Sequence, residues 1–243
     1  ASASSPVSSA DMALVQQGLA SARARDVIGT QSIMARISDP AARKLVEWAL
    51  VDTSDRQLSY SDLSRANIDL RGWPRSDSRV SAGERALDAS GMGGDAAIAF
   101  FNGQQPVTVQ GAIALASALE QGGRRNDAQS LIREWWRTQS FDLAEQNRIL
   151  SRWGNGLSAD DHNTRLSMLL SGPHGPATRA MIAMVSPERQ SVANAVLSLR
   201  TAYAPDALVS SLSPAQANDP NVVLERVKRS EERRVGKECR SRW

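Results

Sequence analysis

The sequence predicts an all-α fold and, more specifically, a right-handed α-superhelix, that is, a solenoid of helical hairpins. Residues suited to cap a helix N-terminus recur along the chain, each followed by apolar residues at the spacing of one helix face. In the second half a helix pair repeats about every 32 to 34 residues, a period typical of helical solenoids. Strand signals are nearly absent, since β-branched clusters are few and no Asn-Gly dipeptide separates alternating apolar runs.

The segment from Phe141 to Gly172 shows the hairpin pattern most clearly, and its first helix has a defined start and end. Asp142 is the expected N-cap, and Glu145 stands where it would complete a capping box. Gly154 is the expected terminator in the left-handed conformation. The apolar stripe of this helix is formed by Leu143, Ile149, Leu150 and Trp153.

The second helix of this hairpin begins with a similar signature. Ser158 is the expected N-cap, Asp161 stands in the capping-box position, and Asp160 lies in the first turn, where the helix dipole favours a carboxylate. Gly172-Pro173 ends the helix. Leu166, Leu169 and Leu170 form its apolar stripe. Much of the remaining chain follows as variations on this hairpin.

Earlier in the chain, helices alternate with short breaks. The expected helices run from Asp11 to about Arg25, from Val27 to Ile37, from Pro40 to about Thr53 with Asp39 as N-cap, through Tyr60 and Leu63, from Arg75 to Ala89, and from Asp95 to Gly103. From there the expected N-caps are Thr108, Asn126, Asp142 and Ser158. A further helix is expected from Glu188 to about Ala202, after which Pro205, Pro214 and Pro220 interrupt the pattern.

The segment that begins at Thr108 resembles tetratricopeptide hairpins. The similarity depends on apolar and small residues that let two helices approach each other closely: Leu115-Ala116, Leu119, Gly122-Gly123 and Ala128. Hairpins of this kind bury their apolar faces only by stacking on one another. The second half of the superhelix is therefore expected to be tetratricopeptide-like.

The last fifteen residues, 229–243, resemble a translated sequencing adapter and are expected to be a non-native tail. Six of the 29 basic and three of the 26 acidic residues lie there, so the rest of the chain carries equal numbers of both. The basic pI therefore belongs to the tail, and a nucleic-acid partner is not expected. Cys239, the only cysteine, also lies in the tail, which leaves no thiol chemistry for the rest. The expected organisation is a disordered N-terminus (1–10), one superhelical domain truncated at its C-terminus (11–228) and the tail.

The N-terminus is small and polar and lacks an initiating methionine. A cleaved signal peptide would leave such a sequence, and so would a cloned fragment; export from the cytoplasm is the favoured interpretation. No run of about 18 apolar residues occurs, so no transmembrane segment is expected.

Few residues suggest chemistry. His162 and His174 have no metal-ligand partner at helical spacing, so a packed or capping role is favoured over a metal site. Asp160 and Asp161 are explained by the helix dipole more simply than by acid–base catalysis. No Gly-x-Ser-x-Gly elbow and no phosphate-binding glycine loop are present. We therefore expect no catalytic, cofactor-binding or metal-binding residues in this chain.

Several other residue types have both a functional and a structural interpretation. The faces of Trp135, Trp136 and Trp153 suit the C–H surfaces of sugar rings, but tryptophans at helical spacing more often pack in a core. Two arginine pairs are interpreted as solvated helix ends favoured by the C-terminal dipole, namely Arg23 with Arg25 and Arg124 with Arg125. The glycines between Gly91 and Gly94 are interpreted as a flexible break.

Four local motifs resemble the N-terminal superhelical region of the soluble lytic murein transglycosylases of Gram-negative bacteria. They are Asp39 to Trp48 (DPAARKLVEW), Trp73-Pro74, Val107 to Gly123, and the set Leu157-Ser158, Asp161-His162, Arg165-Leu166 and Leu169-Leu170. Each motif is weak alone, but their order and spacing extend over roughly residues 25 to 228.

This resemblance implies a periplasmic enzyme that cleaves the β-1,4 bond between N-acetylmuramic acid and N-acetylglucosamine in peptidoglycan and leaves 1,6-anhydro ends. In that family a glutamate followed by serine, in a C-terminal lysozyme-like domain, acts as general acid and base. Here no glutamate precedes a serine, and no Gly-Leu-Met-Gln sequence follows. The chain is therefore expected to lack the catalytic domain and to be inert alone, with peptidoglycan glycan strands as its partner. The alternative is a tetratricopeptide-like scaffold that binds other proteins.

Overall fold

A computed structural model describes residues 7–201 and 205–240 of the chain. Within these ranges it contains fifteen α-helices, two short 3-10 helices and no strand, which confirms the all-α prediction. The described helices fall into two compact units, and the division between them lies at Ala128 and Gln129, inside one helix.

The first unit begins with helices joined by short turns. Its helices are α1 (Ser9–Arg23), α2 (Val27–Met34), α3 (Pro40–Ser54), α4 (Tyr60–Asp69), α5 (Ser76–Ser90), α6 (Gly94–Phe101) and α7 (Val109–Gln121), with a 3-10 turn at Asp55–Gln57. The division between the units falls in α8 (Arg125–Thr138). The second unit contains α9 (Leu143–Trp153), a 3-10 turn at Gly154–Gly156, α10 (Ala159–Ser171), α11 (Pro176–Ile182), α12 (Pro187–Thr201), α13 (Pro205–Ser210), α14 (Pro214–Ala217) and α15 (Pro220–Arg240).

Three apolar clusters hold the first unit together. Helices α1, α2 and α3 pack against each other around Val15, Ile37, Ala42 and Val46. A second cluster joins the end of α3 to α4 and α5 and consists of Leu50, Val51, Leu58, Leu63, Ala66, Leu70 and Ala82. The third lies where α5, α6 and α7 meet and contains Leu87, Ala97, Phe101 and Ala118. Burial of these side chains is the main stabilising term for the unit.

In the second unit, α12 packs against α10, α11, α13, α14 and α15. Helix α10 also packs against α11 and α15. Deeply buried apolar side chains come from these helices and from α8 and α9, and they include Ile132, Trp136, Ile149, Leu166, Leu170, Met181, Val196, Leu199 and Val222. The predicted stripe of Leu166, Leu169 and Leu170 is buried, as expected.

Three of the predicted N-cap residues, Asp39, Thr108 and Ser158, form the expected capping hydrogen bonds. The Asp39 carboxylate accepts from the amide of Ala42 at 2.8 Å, and the Thr108 hydroxyl accepts from the amide of Gly111 at 3.0 Å. Ser158 and Asp161 form the predicted reciprocal capping box. Each of these caps connects residues three apart, so the local sequence is sufficient to specify it.

Other predicted boundaries are wrong. Ser8, not Asp11, caps α1, and Asn126 lies inside α8, because the helix already begins at Arg125. Gly154 has a right-handed conformation and continues into the 3-10 turn instead of terminating α9 in the left-handed region. Asp142 occupies the N-cap position of α9, but its side chain makes no capping hydrogen bond.

The arginine pairs differ from each other. Arg23 lies in the last turn of α1, as expected, whereas Arg124 and Arg125 stand at the start of α8, so their interpretation as a helix C-terminus is wrong. Arg25 follows α1 in the left-handed region, with φ of 59°. Helix α6 ends at Phe101, and its C-cap is the left-handed Asn102, one residue before the predicted terminator Gly103.

Each of the three C-terminal prolines interrupts the pattern by beginning a new helix: Pro205 begins α13, Pro214 begins α14 and Pro220 begins α15. Proline fits the first helical turn because its missing N–H would have no intrahelical partner there.

Helix α15 continues through residues 229–240 of the expected tail. Ser9 and Ala10, assigned to the N-terminal segment, form the first turn of α1, while the predicted helix end at Ala202 lies outside the described residues. Among the residues that the structure describes, no helix is both long and apolar enough to cross a bilayer.

Candidate functional site

The carboxylate of Asp161 closes the start of α10 and ties it to α8. It accepts hydrogen bonds from the amide and hydroxyl of Ser158 at 2.8 and 3.0 Å. Arg137 approaches it at 2.8 Å and Arg133 at 3.3 Å. Burial alone would raise the pKa of Asp161, but the hydrogen bonds from Ser158 and Arg137 and the charge of Arg133 outweigh it and lower the pKa to about 2. This carboxylate is therefore an ionised structural group and unsuited to act as a general acid.

Asp161→Asn should change how the free energy of unfolding depends on pH. The folded pKa lies below the usual 3.8, so the ionised carboxylate stabilises the fold above about pH 4, and this contribution is lost as pH falls toward 2. We expect wild type to lose about 1 kcal/mol more than the variant between pH 4.5 and 2, allowing for solvent screening of the arginines. Thermal unfolding followed by circular dichroism across this pH range measures the difference. Asp160→Asn, at a side chain 76% exposed, is the matched control. Parallel wild-type and Asp161→Asn profiles would contradict the expectation.

Both histidines have packing or capping roles. His162 lies edge-on to the ring of Trp136, with ring centroids 5.6 Å apart, and burial lowers its pKa. A ring nitrogen of His174 lies 2.9 Å from the carbonyl of Leu170, near the end of α10. In the described ranges, no group of three or more His, Cys, Asp or Glu residues could hold a metal ion.

The tryptophans singled out by the sequence are mostly inaccessible to a ligand. Trp136 is fully buried and Trp153 is 3% exposed, so neither face can receive a sugar ring. Trp135 is half-buried. The packing interpretation therefore fits Trp136 and Trp153.

Sequence reasoning noted Arg165 only as part of a family-like motif and missed its structural role as a fully buried arginine in α10. Its guanidinium lies 4.4 Å from the centre of the Trp136 ring and 4.0 Å from that of Phe141. It donates to the carbonyls of Trp136 and Gln139, both at 3.0 Å, and to the side-chain oxygen of Gln146 at 3.0 Å. Burial lowers the pKa of Arg165 to about 10, so the side chain stays charged at neutral pH. It closes the C-terminal end of α8, whose carbonyls have no intrahelical partner.

Arg200 in α12 makes equivalent contacts to the end of α10. It donates to the carbonyls of Gly172 at 2.6 Å and Leu170 at 3.2 Å, and it pairs with Glu225 of α15 at 2.8 Å. At both places, an arginine on one helix thus closes the end of the second α-helix before it.

Two buried glutamates have a raised pKa, the property that a general acid requires. Burial and then the charge of Asp69 raise the pKa of Glu47 in α3. Burial also raises the pKa of Glu84 in α5, but its carboxylate is occupied by the backbone amides of Val107 and Thr108 and by the Thr108 hydroxyl. Neither glutamate is followed by serine. Glu84 serves to anchor the start of α7, and neither residue has the glutamate–serine sequence expected of a transglycosylase catalytic acid.

The first unit contains an open cleft of about 420 Å³ between α3 and the start of α5, which we call the Trp48 cleft. It is lined by Trp48 together with three aspartates and three arginines: Asp52, Asp55, Asp77, Arg75, Arg79 and Arg85. Trp48 is half-buried, packs against the second apolar cluster and donates its indole N–H to the carbonyl of Pro74 at 3.1 Å.

Two ion pairs line the cleft. Asp52 pairs with Arg75 at 2.5 Å and Asp55 pairs with Arg85 at 2.9 Å. All four side chains remain partly exposed, between 25% and 57%. Arg79 is 4% exposed, and its guanidinium donates to the carbonyls of Leu70, Trp73 and Pro74. Its Nε is buried and has no hydrogen-bond partner among the described residues.

The glycine segment at the end of α5 contributes to a second opening. Gly91 terminates α5 in the left-handed region, and Gly93 stands at the N-cap position of α6. The amide of Gly94 donates to the side chain of Gln121 at 2.9 Å. A cleft of about 690 Å³ lies here, but its lining has one aspartate and one arginine, and no aromatic side chain. It therefore offers fewer specific contacts than the Trp48 cleft.

The Trp48 cleft is the best-formed candidate site, because it combines a fixed aromatic ring with accessible hydrogen-bond donors and acceptors. Comparison with protein-family models, curated proteins and solved structures finds no match to this chain.

Proposed function

We propose that this chain is the superhelical region of a periplasmic lytic transglycosylase and that it guides or holds glycan strands of peptidoglycan. The proposal includes a right-handed superhelix that is tetratricopeptide-like in its second half. The residues that cleave the strand are not part of this sequence, since no glutamate is followed by serine. The chain is therefore a binding element without catalytic activity.

The observation that carries the proposal is the contact between two of the family-like motifs. Trp48 ends the first motif, and its indole donates to the carbonyl of Pro74 in the second motif, 26 residues later. Arg79 donates to the same carbonyl. The contact places the two motifs side by side in one apolar cluster, an arrangement compatible with a shared fold. Trp48 of the first motif lines the Trp48 cleft, together with Arg75 and Arg79, which follow the second motif.

The alternative, a tetratricopeptide-like scaffold for protein partners, is favoured by a different observation. Arg165 and Arg200 close the ends of α8 and α10 in the same way, at a spacing close to the hairpin period expected from the sequence. Such regularity is typical of helical repeats, in which each hairpin contacts its neighbours.

Sedimentation with purified insoluble murein separates the two functions. We expect the full chain to pellet with murein and to leave no cleared zone in a gel that contains peptidoglycan. A protein-binding scaffold would stay in the supernatant, and that result would contradict the proposal. A reproducible cleared zone would refute the absence of catalytic activity. Heat-denatured chain in the same assay controls for nonspecific pelleting.

A further inference from the structure

We propose that the Trp48 cleft is a saccharide subsite that binds a neutral pyranose ring, with the indole of Trp48 as the stacking platform. This inference rests on the proposed function for the source of the saccharide, a glycan strand. The cleft itself is defined by residues of the first unit alone.

The aromatic platform is fixed before a ligand arrives. The Trp48 indole N–H donates to the carbonyl of Pro74, and the side chain packs against the second apolar cluster. Its remaining surface is accessible, because the side chain is only half-buried. A ring that is already held in place loses little conformational freedom on binding, which favours affinity. The apolar face of a pyranose ring matches such a surface.

The charges around the ring favour a neutral ligand. The three arginines and three aspartates of the lining balance each other, so neither an anion such as phosphate nor a metal cation is preferred. Sugar hydroxyl groups both donate and accept hydrogen bonds. The pairs Asp52–Arg75 and Asp55–Arg85 supply acceptors and donors side by side, and hydrogen bonds to charged groups are stronger than those between neutral groups. The cleft also has the volume of a small-ligand pocket, which is about 300–1,000 Å³.

The backbone of Arg75 adds an independent indication. Its φ is 62°, a left-handed conformation that residues with a side chain rarely adopt. Glycine would suit this position better, yet the chain has an arginine whose side chain pairs with Asp52 at the cleft. Strained conformations are often retained at functional sites. Arg75→Gly therefore removes one wall of the cleft without straining the backbone.

The test uses the full chain and two substrates, insoluble murein and soluble chitotetraose, a β-1,4-linked tetramer of N-acetylglucosamine. Chitotetraose binding is followed by NMR of the indole N–H signals, and the Trp48 signal is identified by its loss in Trp48→Ala. The matched control is Trp153→Phe, at a tryptophan of the second unit that is 3% exposed and lies outside the cleft. We expect Trp48→Ala to weaken binding of both substrates about tenfold and Arg75→Gly to weaken it about threefold, with the control unchanged.

The results with murein and with chitotetraose test the subsite and the proposed function independently. If wild type pellets with murein and both cleft variants pellet equally well, the subsite is refuted and the proposed function stands. If wild type does not pellet, the proposed function is refuted, and the cleft is then judged on chitotetraose alone. A shift of the Trp48 signal would support the subsite, and its absence would overturn it. If circular dichroism shows that Trp48→Ala is unfolded, Arg75→Gly decides the question.

Discussion

Arg165→Ala should lower the free energy of unfolding by about 3 kcal/mol, one of the two largest effects that we expect from a single substitution in this chain. The guanidinium is fully buried and donates to two backbone carbonyls and to Gln146. Its removal would leave the carbonyls of Trp136 and Gln139 without these donors, and a buried unsatisfied acceptor costs about 1–3 kcal/mol. The variant also loses the contacts of the guanidinium with the two aromatic rings.

Urea denaturation followed by tryptophan fluorescence measures this effect. Arg152→Ala is the matched control, because Arg152 also lies over a tryptophan ring, at 4.8 Å, but is exposed to solvent. We expect the control to cost less than about 1 kcal/mol. Arg165→Lys should recover little stability, since one ammonium group cannot reproduce the planar guanidinium contacts. Equal losses in the Arg165 and Arg152 variants would contradict the role assigned to Arg165.

The location of Arg165 shows where the sequence was informative and where it was not. Arg165 stands four residues before Leu169, on the apolar stripe of α10, and this position was an available signal of burial. The stripe itself was predicted correctly, because it follows from helical spacing alone. The carbonyl acceptors of Arg165 lie 26 and 29 residues earlier in the chain, at and just after the end of another helix. No local pattern specifies such a contact.

The same distinction explains the N-caps. Asp39, Thr108 and Ser158 were predicted correctly, since each cap bonds an amide three residues away. Asp11 has the chemistry of a cap but is buried, and its carboxylate accepts from the amides of Ser38 and Asp39 at 3.0 Å. Because the Asp11 carboxylate is bonded to these distant amides, it does not cap its own helix, and Ser8 caps α1 instead.

The Trp48 cleft was only partly visible in the sequence. Trp48, Asp52 and Asp55 follow one another at intervals of four and three residues, which places them along one face of α3 and its extension. What the spacing does not indicate is that Arg75 and Arg85 lie opposite them. These pairings depend on how α5 packs, 20 to 30 residues later in the chain, and on the left-handed backbone of Arg75.

Glu84→Ala should also cost about 3 kcal/mol of unfolding free energy, since it removes the anchor for the start of α7. The Glu84 carboxylate is fully buried and accepts from the amides of Val107 and Thr108, both at 2.7 Å, and from the Thr108 hydroxyl at 2.6 Å. A carboxylate at a helix N-terminus is stabilised by the unpaired amides and by the helix dipole. The close approach also requires a glycine, because a Cβ at Gly111 would lie 2.4 Å from the carboxylate.

Glu84→Gln keeps the shape of this side chain and removes its negative charge. The amide oxygen of glutamine can still accept a hydrogen bond, but its NH2 group would face donors, so we expect about half of the alanine loss. Urea denaturation gives the free energies, and hydrogen exchange gives a local readout, in which the amides of Val107 and Thr108 should exchange faster in both variants. If these amides keep their protection in Glu84→Ala, the carboxylate does not hold the start of α7. A uniform loss of protection over the first unit would likewise indicate general destabilisation and not the loss of one anchor.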